Sequence, residues 1–537
     1  MKKLIFLAIV LLNILVQGAS AQKSIPHLQK VGNHFQMVVN DKPFLMLAGE
    51  LGNSTASTIE SMEPVWPRLK ELNLNTVLVP VYWELLEPKE GEFDYKLIDN
   101  LIQQARNYDL KLVFLWFGSW KNSMSSHAPA WVKLDQKRFP RAKSDTGESQ
   151  EILTPFAEAN LQADLNAYKH LLKHIGEIDA VYQTVILMQT ENEIGMIPSV
   201  RDYNPLANQK FKEEVPADLI AYLVKNKKEL NPEFSEIWEK NGFKTKGSWE
   251  EIFGKGVKTD EIFMAYYFAI YTGQVCAAGK AEYAIPAYVN AALIIPSSGP
   301  LPHVLDIWKA GSPQIDFYSP DLYNPQFKKW ADLYARQGNP LFIPEHQFDN
   351  TVAAKALFAI GQYEAMGFSP FSIEQKPGIP FTAKENKLAK VYDIINQIQP
   401  LLNSNRGQNK IRGVLLSKEV KETTFVLGDY EFTAGHTYNF GWEPESKSDE
   451  WEPAGAIIIQ TGEKEFYYAG FGVSVRMKNL KKSDARVGIL EAERGSFKDG
   501  KWVVYQHLNG DQTHQGRHIR SFVDDVSIQR FSLYEYE

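Results

Sequence analysis

The sequence is almost without cysteine: Cys276 stands alone among 537 residues. An intramolecular disulfide and a cysteine-based zinc site are therefore excluded. Long basic runs are missing as well. With 58 Lys and Arg against 65 Asp and Glu, a formal charge of −7, the chain lacks the electrostatic footprint of a nucleic-acid binder. Beyond the N-terminus no apolar stretch is long enough to cross a bilayer. No glycine-rich phosphate cradle follows a strand-like run, which weighs against a doubly wound nucleotide-binding sheet.

What is present begins with a processing signal. Lys2 and Lys3 precede an apolar run from Leu4 to Val16, broken only by Asn13, and Ala19-Ser20-Ala21 reads as a cleavage site before Gln22. Residues 1–21 are thus expected to be a signal peptide. No cysteine follows the apolar run, so the bacterial lipoprotein pattern is absent. An exported, disulfide-free chain suits a bacterial periplasm or the extracellular space. Aromatic residues make up 12%, including 12 Trp and 24 Tyr. Such rings fill cores, and they also suit stacking against pyranose faces.

From about residue 40 to 400 short apolar runs alternate with longer amphipathic ones. The short runs are "FLMLAG" (44–49), "TVLVPVYW" (76–83), "LKLVFLWF" (110–117), "TVILMQTE" (184–191), "IPAYVNA" (285–291), "IDFYSPD" (315–321), "LFIPEH" (341–346) and "FSPFSIE" (368–374). They are nearly continuous in apolar character, as parallel strands buried on both faces require. Between them Leu161, Leu165, Tyr168, Leu172 and Ile175 mark one helical face, as do Leu97, Leu101 and Ala105. Ala353, Leu357 and Ile360 mark another, with a stop expected at Gly367. Eight strands alternating with helices predict a (β/α)8 barrel over 22–402, preceded by a hairpin turning at Asn40-Asp41. A long excursion separates Glu191 from Tyr288 and includes the polar "KTKGSWEEIFGKGVKTD". It would leave from the functional face of such a barrel and shape the substrate entrance. Cys276 lies in a helical run and reads as buried.

After residue 402 the texture changes. "NSNRGQNK" (403–410) reads as a linker, and the short β-rich runs over 411–537 predict an antiparallel β-sandwich, with Asp499-Gly500 as a hairpin turn.

In a parallel barrel, function sits at the C-terminal strand ends. Strand four ends in "LMQTENEIGM", carrying Glu191, Asn192 and Glu193. Strand seven ends in Glu345. Glu50 closes strand one, Glu84 and Glu87 follow strand two, Asp316 and Asp321 lie on strand six, and Glu374 closes strand eight. A single acid after a strand is commonly a helix cap. Acids on strands four and seven, which face each other across a barrel, are what glycosidic cleavage needs. One protonates the leaving oxygen and the other meets charge at the anomeric carbon, directly when about 5 Å away. Strand alternation puts Glu191 and Glu193 on one side and Asn192 on the other. Periodicity therefore leaves the choice between the two glutamates open.

"ILMQTENEIG" resembles the strand-four signature Q-x-E-N-E-Y-G of glycoside hydrolase family 35, the β-galactosidases of clan A, with Ile194 in place of the usual Tyr. "LNLNTVLVPVYWELLEPKEGEFDY" resembles that family's second-strand block, and "SSHAPAWV" its G-L-P-A-W-L segment. The resemblance covers about residues 40–375. It implies Glu193 as acid/base and Glu345 as nucleophile in a retaining double displacement, with no metal or cofactor. It further implies that Asn192 holds the sugar 2-hydroxyl and that Tyr318 donates to the nucleophile. Trp83, Trp116 and Trp120 are candidate sugar platforms. Strand three departs from the family: "FLWFGSWKN" replaces C-A-E-W-E, so Ser119, Trp120, Lys121 and Asn122 stand where a galactose-binding glutamate is usual. Glu50, Glu84 and Asn122 are candidates for hydroxyl recognition. The sandwich tail is similar to a bacterial branch that includes galactosidases of xyloglucan side chains. The implied substrate is a terminal β-D-galactosyl residue of a plant-type oligo- or polysaccharide. A β-glucosidase, an α-L-arabinopyranosidase or a non-catalytic sugar-binding barrel are the competing expectations. Repulsion between the two glutamates is expected to raise the acid's carboxyl.

Overall fold

The computed structural model describes residues 24–336, 338–374, 379–437, 451–482 and 484–537. The expected signal peptide lies outside the described residues. Among them no helix is long and apolar enough to cross a membrane.

Eight parallel strands form one sheet: Met46–Glu50, Thr76–Tyr82, Lys111–Lys121, Val185–Asn192, Ala287–Ala292, Phe317–Asp321, Phe342–Ile343 and Gly367–Phe368. Each run expected from the sequence overlaps one of them, although the strands at 46–50, 111–121, 185–192 and 287–292 extend past their runs and the last run meets its strand only at Phe368. The sheet closes through a parallel bridge between Asp321 and Glu345, with Leu322 N–H donating to the Glu345 carbonyl at 2.9 Å. The result is a (β/α)8 barrel. Helices Lys96–Asn107, Glu158–Asp179 and Val352–Tyr363 carry the apolar faces read from the spacing. The last does not stop at Gly367. It ends when Glu364 turns left-handed (φ 49°), and Gly367 instead lies in strand eight, where a Cβ would meet the Met46 side chain at 2.6 Å.

One face of the strands fills the barrel with apolar groups at its N-terminal end. Met46, Ala48, Leu78, Val113, Leu115, Phe117, Tyr288, Phe317 and Phe342 pack there with Met37 and Val39 from the preceding hairpin. That hairpin, His34–Val39 and Lys42–Phe44, turns at Asn40 and Asp41, both with positive φ as a two-residue turn demands. The excursion after strand four folds into helices Pro205–Lys212, Ala217–Lys225, Pro232–Lys240 and Trp249–Phe253. It then returns through the long helix Val257–Glu282, which buries Cys276.

The helix Ala383–Asn405 runs through Asn403, Ser404 and Asn405, so the connection to the second unit is residues 406–410. That unit is a β-sandwich of a six-stranded and a four-stranded antiparallel sheet. Gly472 (φ 71°) lets the chain pass from one sheet to the other, between Glu465–Phe471 and Val473–Asn479. Ile458, Phe466, Tyr468 and Phe531 lie between the sheets. On the outer face of the larger sheet Ile457, Ile459, Ala469 and Ile528 join the same core as the barrel helices. Glycines permit this close approach: a Cβ on Gly413 would meet Gln362 N at 2.5 Å.

Candidate active site

The face that is apolar inside the barrel turns polar at the C-terminal strand ends. Following Met46 and Ala48 with the same parity comes Glu50. On strand three an irregularity between Trp116 and Lys121 turns Ser119 outward to Tyr271, and Lys121 follows it at the strand end. Asn290 follows Tyr288, and Asp321 follows Phe317. Alternation thus aims a ring of polar side chains at one mouth.

Glu193, Asp321 and Glu345 meet there, each offering a carboxylate oxygen within 4.8 Å of the others. Glu345 and Asp321 are buried and Glu193 is partly exposed. The backbone of Glu193 is pinned on both sides. Its N–H donates to Asn290 Oδ1 at 2.9 Å, and its carbonyl accepts from Ser123 N–H and Oγ. Asn290 Nδ2 in turn donates to Asp321 Oδ2 at 2.7 Å, linking strands four, five and six. Tyr323 Oη donates to Glu345 Oε2 at 2.8 Å.

Burial and the nearby Glu193 push Glu345 up to about 7, while Lys121, Tyr323 and Asn192 favour its anion. The repulsion expected at the acid is thus felt by Glu345. Asp321 is raised well above the carboxylate range by burial and by Glu345, Glu193 and Glu50. Glu50 is raised in the same way, chiefly by burial and then by Glu345, with Lys121 opposing. Like charges this close cannot all ionise together. Burial and mutual repulsion therefore favour the neutral forms of Glu50, Asp321 and Glu345. Three carboxylates at this spacing could also ligate a hard cation.

The two glutamates of strand four part company. Glu191 and Glu193 both adopt positive φ, 62° and 46°, which breaks simple alternation. Glu191 is buried away from the mouth, accepting from Trp120 N–H at 2.8 Å beside Asp164. Burial and Asp164 raise it well above its usual range. Asn192, on the intervening position, faces Glu345 closely enough to favour its charge, yet its amide makes no regular hydrogen bond in the protein.

Several expected site residues fall elsewhere. Tyr318 points away from the barrel axis, packing on Trp308 with its hydroxyl 2.8 Å from Ser312 Oγ. Parity explains this, since Phe317 points inward. The donor to Glu345 is Tyr323. Trp120 is fully buried against Phe268 and Tyr271, and Trp83 and Trp116 are core groups bonded to Glu87 and Asp164. None of the three is a sugar platform. Glu84 lies outside the cluster, paired with His127 at 3.0 Å. Asn122 is exposed and accepts a hydrogen bond from Lys121. Glu374 is tied to Thr55 and Gly52 N–H. Glu50 does face the cluster, and neither of its oxygens has a hydrogen-bond partner in the protein. Sequence reasoning marked Asp321 as a strand-six acid without a role, and missed Asn290 and Tyr323. The available signal was a polar residue of inward parity at the end of an apolar strand. A cavity of about 650 Å³, lined by Lys30, His34 and Glu364, opens at the opposite end of the barrel, away from the acids.

Residues 57–253 match the model of glycoside hydrolase family 42, described as beta-galactosidase. This is a clan-A family, but not the family 35 that the strand-four motif resembles. Residues 388–520 match a domain of unknown function, DUF5597. The chain finds no match among the curated proteins. Its fold is similar to the β-galactosidase of the psychrophilic Marinomonas ef1, at 13% identity and TM-score 0.45, over 67% of this chain and 60% of that one. It is also similar to the enzyme from Bacillus circulans sp. alkalophilus, at 13% and 0.48, over 67% and 57%. A third is the cold-adapted enzyme from Rahnella sp. R3, at 16% and 0.45, over 66% and 56%. The chain thus spans less than two thirds of each of these proteins. Likeness this distant says nothing of activity.

Proposed function

We propose that the protein is a retaining exo-β-glycosidase of β-galactosidase type. The observation that carries this reading is the approach of Glu193 and Glu345 to within 4.8 Å at the mouth of a closed barrel. That spacing suits direct attack on the anomeric carbon rather than entry of a water between the acids, which needs roughly 6.5–9.5 Å. Glu345, bonded to Tyr323 and faced by Lys121, is the nucleophile in its ionised form. Glu193, the more exposed of the two, carries the proton to the leaving oxygen and then activates water. Asn192, whose amide makes no regular hydrogen bond in the protein, holds a hydroxyl near the anomeric carbon. The family-42 match over 57–253 supports the substrate type. Terminal β-D-galactosyl residues of plant-type oligo- or polysaccharides are the proposed substrates. The signal peptide expected over residues 1–21 supports export.

A panel of nitrophenyl glycosides tests the reading. The wild type is expected to release nitrophenol fastest from the β-galactoside, and Glu345→Ala to abolish turnover. Glu193→Ala with added azide should yield a β-glycosyl azide. Wild-type turnover by Glu345→Ala would overturn the assignment, and a fastest rate on an arabinopyranoside or glucoside would redirect the specificity.

A further inference from the structure

The next inference rests on the glycosidase reading and concerns the sugar that the site selects. Lys121 ends strand three at 8% exposure. Its ammonium lies over the Phe117 ring, 5.0 Å from the centroid, and its hydrogen bond goes to Asn122 Oδ1. An ammonium has three donors, so capacity remains. Its charge favours the anions of both Glu345 and Glu50, at the mouth ends of strands seven and one. Glu50, 1% exposed, presents two oxygens without a partner in the protein. Asn192, the register partner of Lys121, presents an unpartnered buried amide. Leaving a buried polar group unpaired is unfavourable, so a ligand that supplies the missing partner gains. Acceptors on strand one, donors on strand three and an amide on strand four, all beside Glu345, match a ligand that offers both kinds of group on adjacent carbons.

We infer that Glu50 and Lys121 form the specificity-determining pair of the sugar site, taking two adjacent hydroxyls of the terminal pyranose. One hydroxyl donates to Glu50 and its neighbour accepts from Lys121. The ligand class is a neutral pyranoside with a free vicinal diol away from the anomeric carbon. A uronic acid is disfavoured, because Glu50, Glu193, Asp321 and Glu345 set four acid groups against one ammonium.

Monodeoxy analogues test this. kcat/KM is measured for the wild type, Lys121→Met and Glu50→Gln on the fastest nitrophenyl glycoside and on its 3-, 4- and 6-deoxy forms. Lys121→Met is expected to lose about 10- to 100-fold on the parent, the scale of a hydrogen bond to a charged group. On the one analogue lacking the bound hydroxyl the loss should shrink to less than about threefold, since the partner is already gone. Glu50→Gln should show the same shrinkage on an adjacent position. Equal loss on all four substrates, with the acid limb of the pH profile moved upward, would overturn the pair and leave Lys121 acting only through Glu345. Lys121→Arg, which keeps charge and donors, guards against a misfolded Met variant and should retain the wild-type ranking. A wild type that turns over no glycoside, and is indistinguishable from Glu345→Ala, would remove the glycosidase reading and this inference together.

Discussion

The Tyr323 hydroxyl donates to Glu345 Oε2 at 2.8 Å, from two residues beyond the end of strand six. This bond stabilises the anion that the proposed attack requires. Tyr323→Phe is expected to lower kcat/KM by roughly ten- to a hundredfold, with the acid limb moved to higher pH. Tyr318→Phe should change neither, because its hydroxyl serves Ser312. Steady-state kinetics across pH distinguishes the two tyrosines, and equal effects would remove Tyr323 from the site.

The paired strand-four glutamates differ in environment, and isosteric substitution should expose it. Glu191 is buried beside Asp164 and held towards its neutral form, which Gln mimics in shape. Glu191→Gln is expected to retain activity within severalfold. Glu193→Gln removes a proton donor and should cost about 10²–10⁴-fold on substrates with poor leaving groups. Activated aryl glycosides should suffer less, so a leaving-group series checks the assignment.

Glu345 is pushed up to about 7 when folded, so two pH effects follow. The acid limb of kcat/KM should lie near pH 7, with activity falling below it as Glu345 gains a proton. Stability runs the other way. A carboxyl raised in the fold stabilises the protein below its unfolded value, and this contribution is lost as pH rises through the folded value. The wild type should therefore lose up to about 3 kcal/mol from this group between pH 4.5 and 7. Glu345→Gln lacks that loss. Urea denaturation at pH 5 and pH 8 should show it gaining on the wild type at the higher pH. A constant difference would contradict the burial assigned to Glu345.

Docking of the sandwich depends on glycine contacts. Gly413→Ala would place a methyl 2.5 Å from Gln362 N and 2.6 Å from Phe358 O, both backbone atoms of a rigid helix. A loss of about 1–3 kcal/mol is expected, as for overpacking elsewhere. The lower Tm should leave the pH profile unmoved, because the contact lies far along the helix from Glu345.

Which parts were legible follows from the range of the forces involved. The eight strands could be read because a strand buried on both faces must be apolar throughout. The Asn40-Asp41 turn could be read because few residues accept two positive φ values. Asp321 was within reach of parity counted from Phe317, whereas Lys121 was not, because the strand is irregular between Trp116 and Lys121 and Ser119 turns outward to Tyr271. Trp120 was misplaced because an aromatic ring satisfies a helix–strand interface as readily as a sugar. Gly367 was misread as a helix stop because close packing against Met46 and a left-handed turn ask for the same residue.

The sequence by itself determined the barrel, the sandwich and the strand ends that carry acids, since these depend on periodicity and composition along the chain. Only the tertiary structure decided that Glu193 rather than Glu191 reaches the mouth, and that Tyr323 rather than Tyr318 meets Glu345. Closure of the sheet and two left-handed residues set those directions. Both arise from contacts between segments far apart in the chain, which local pattern does not encode.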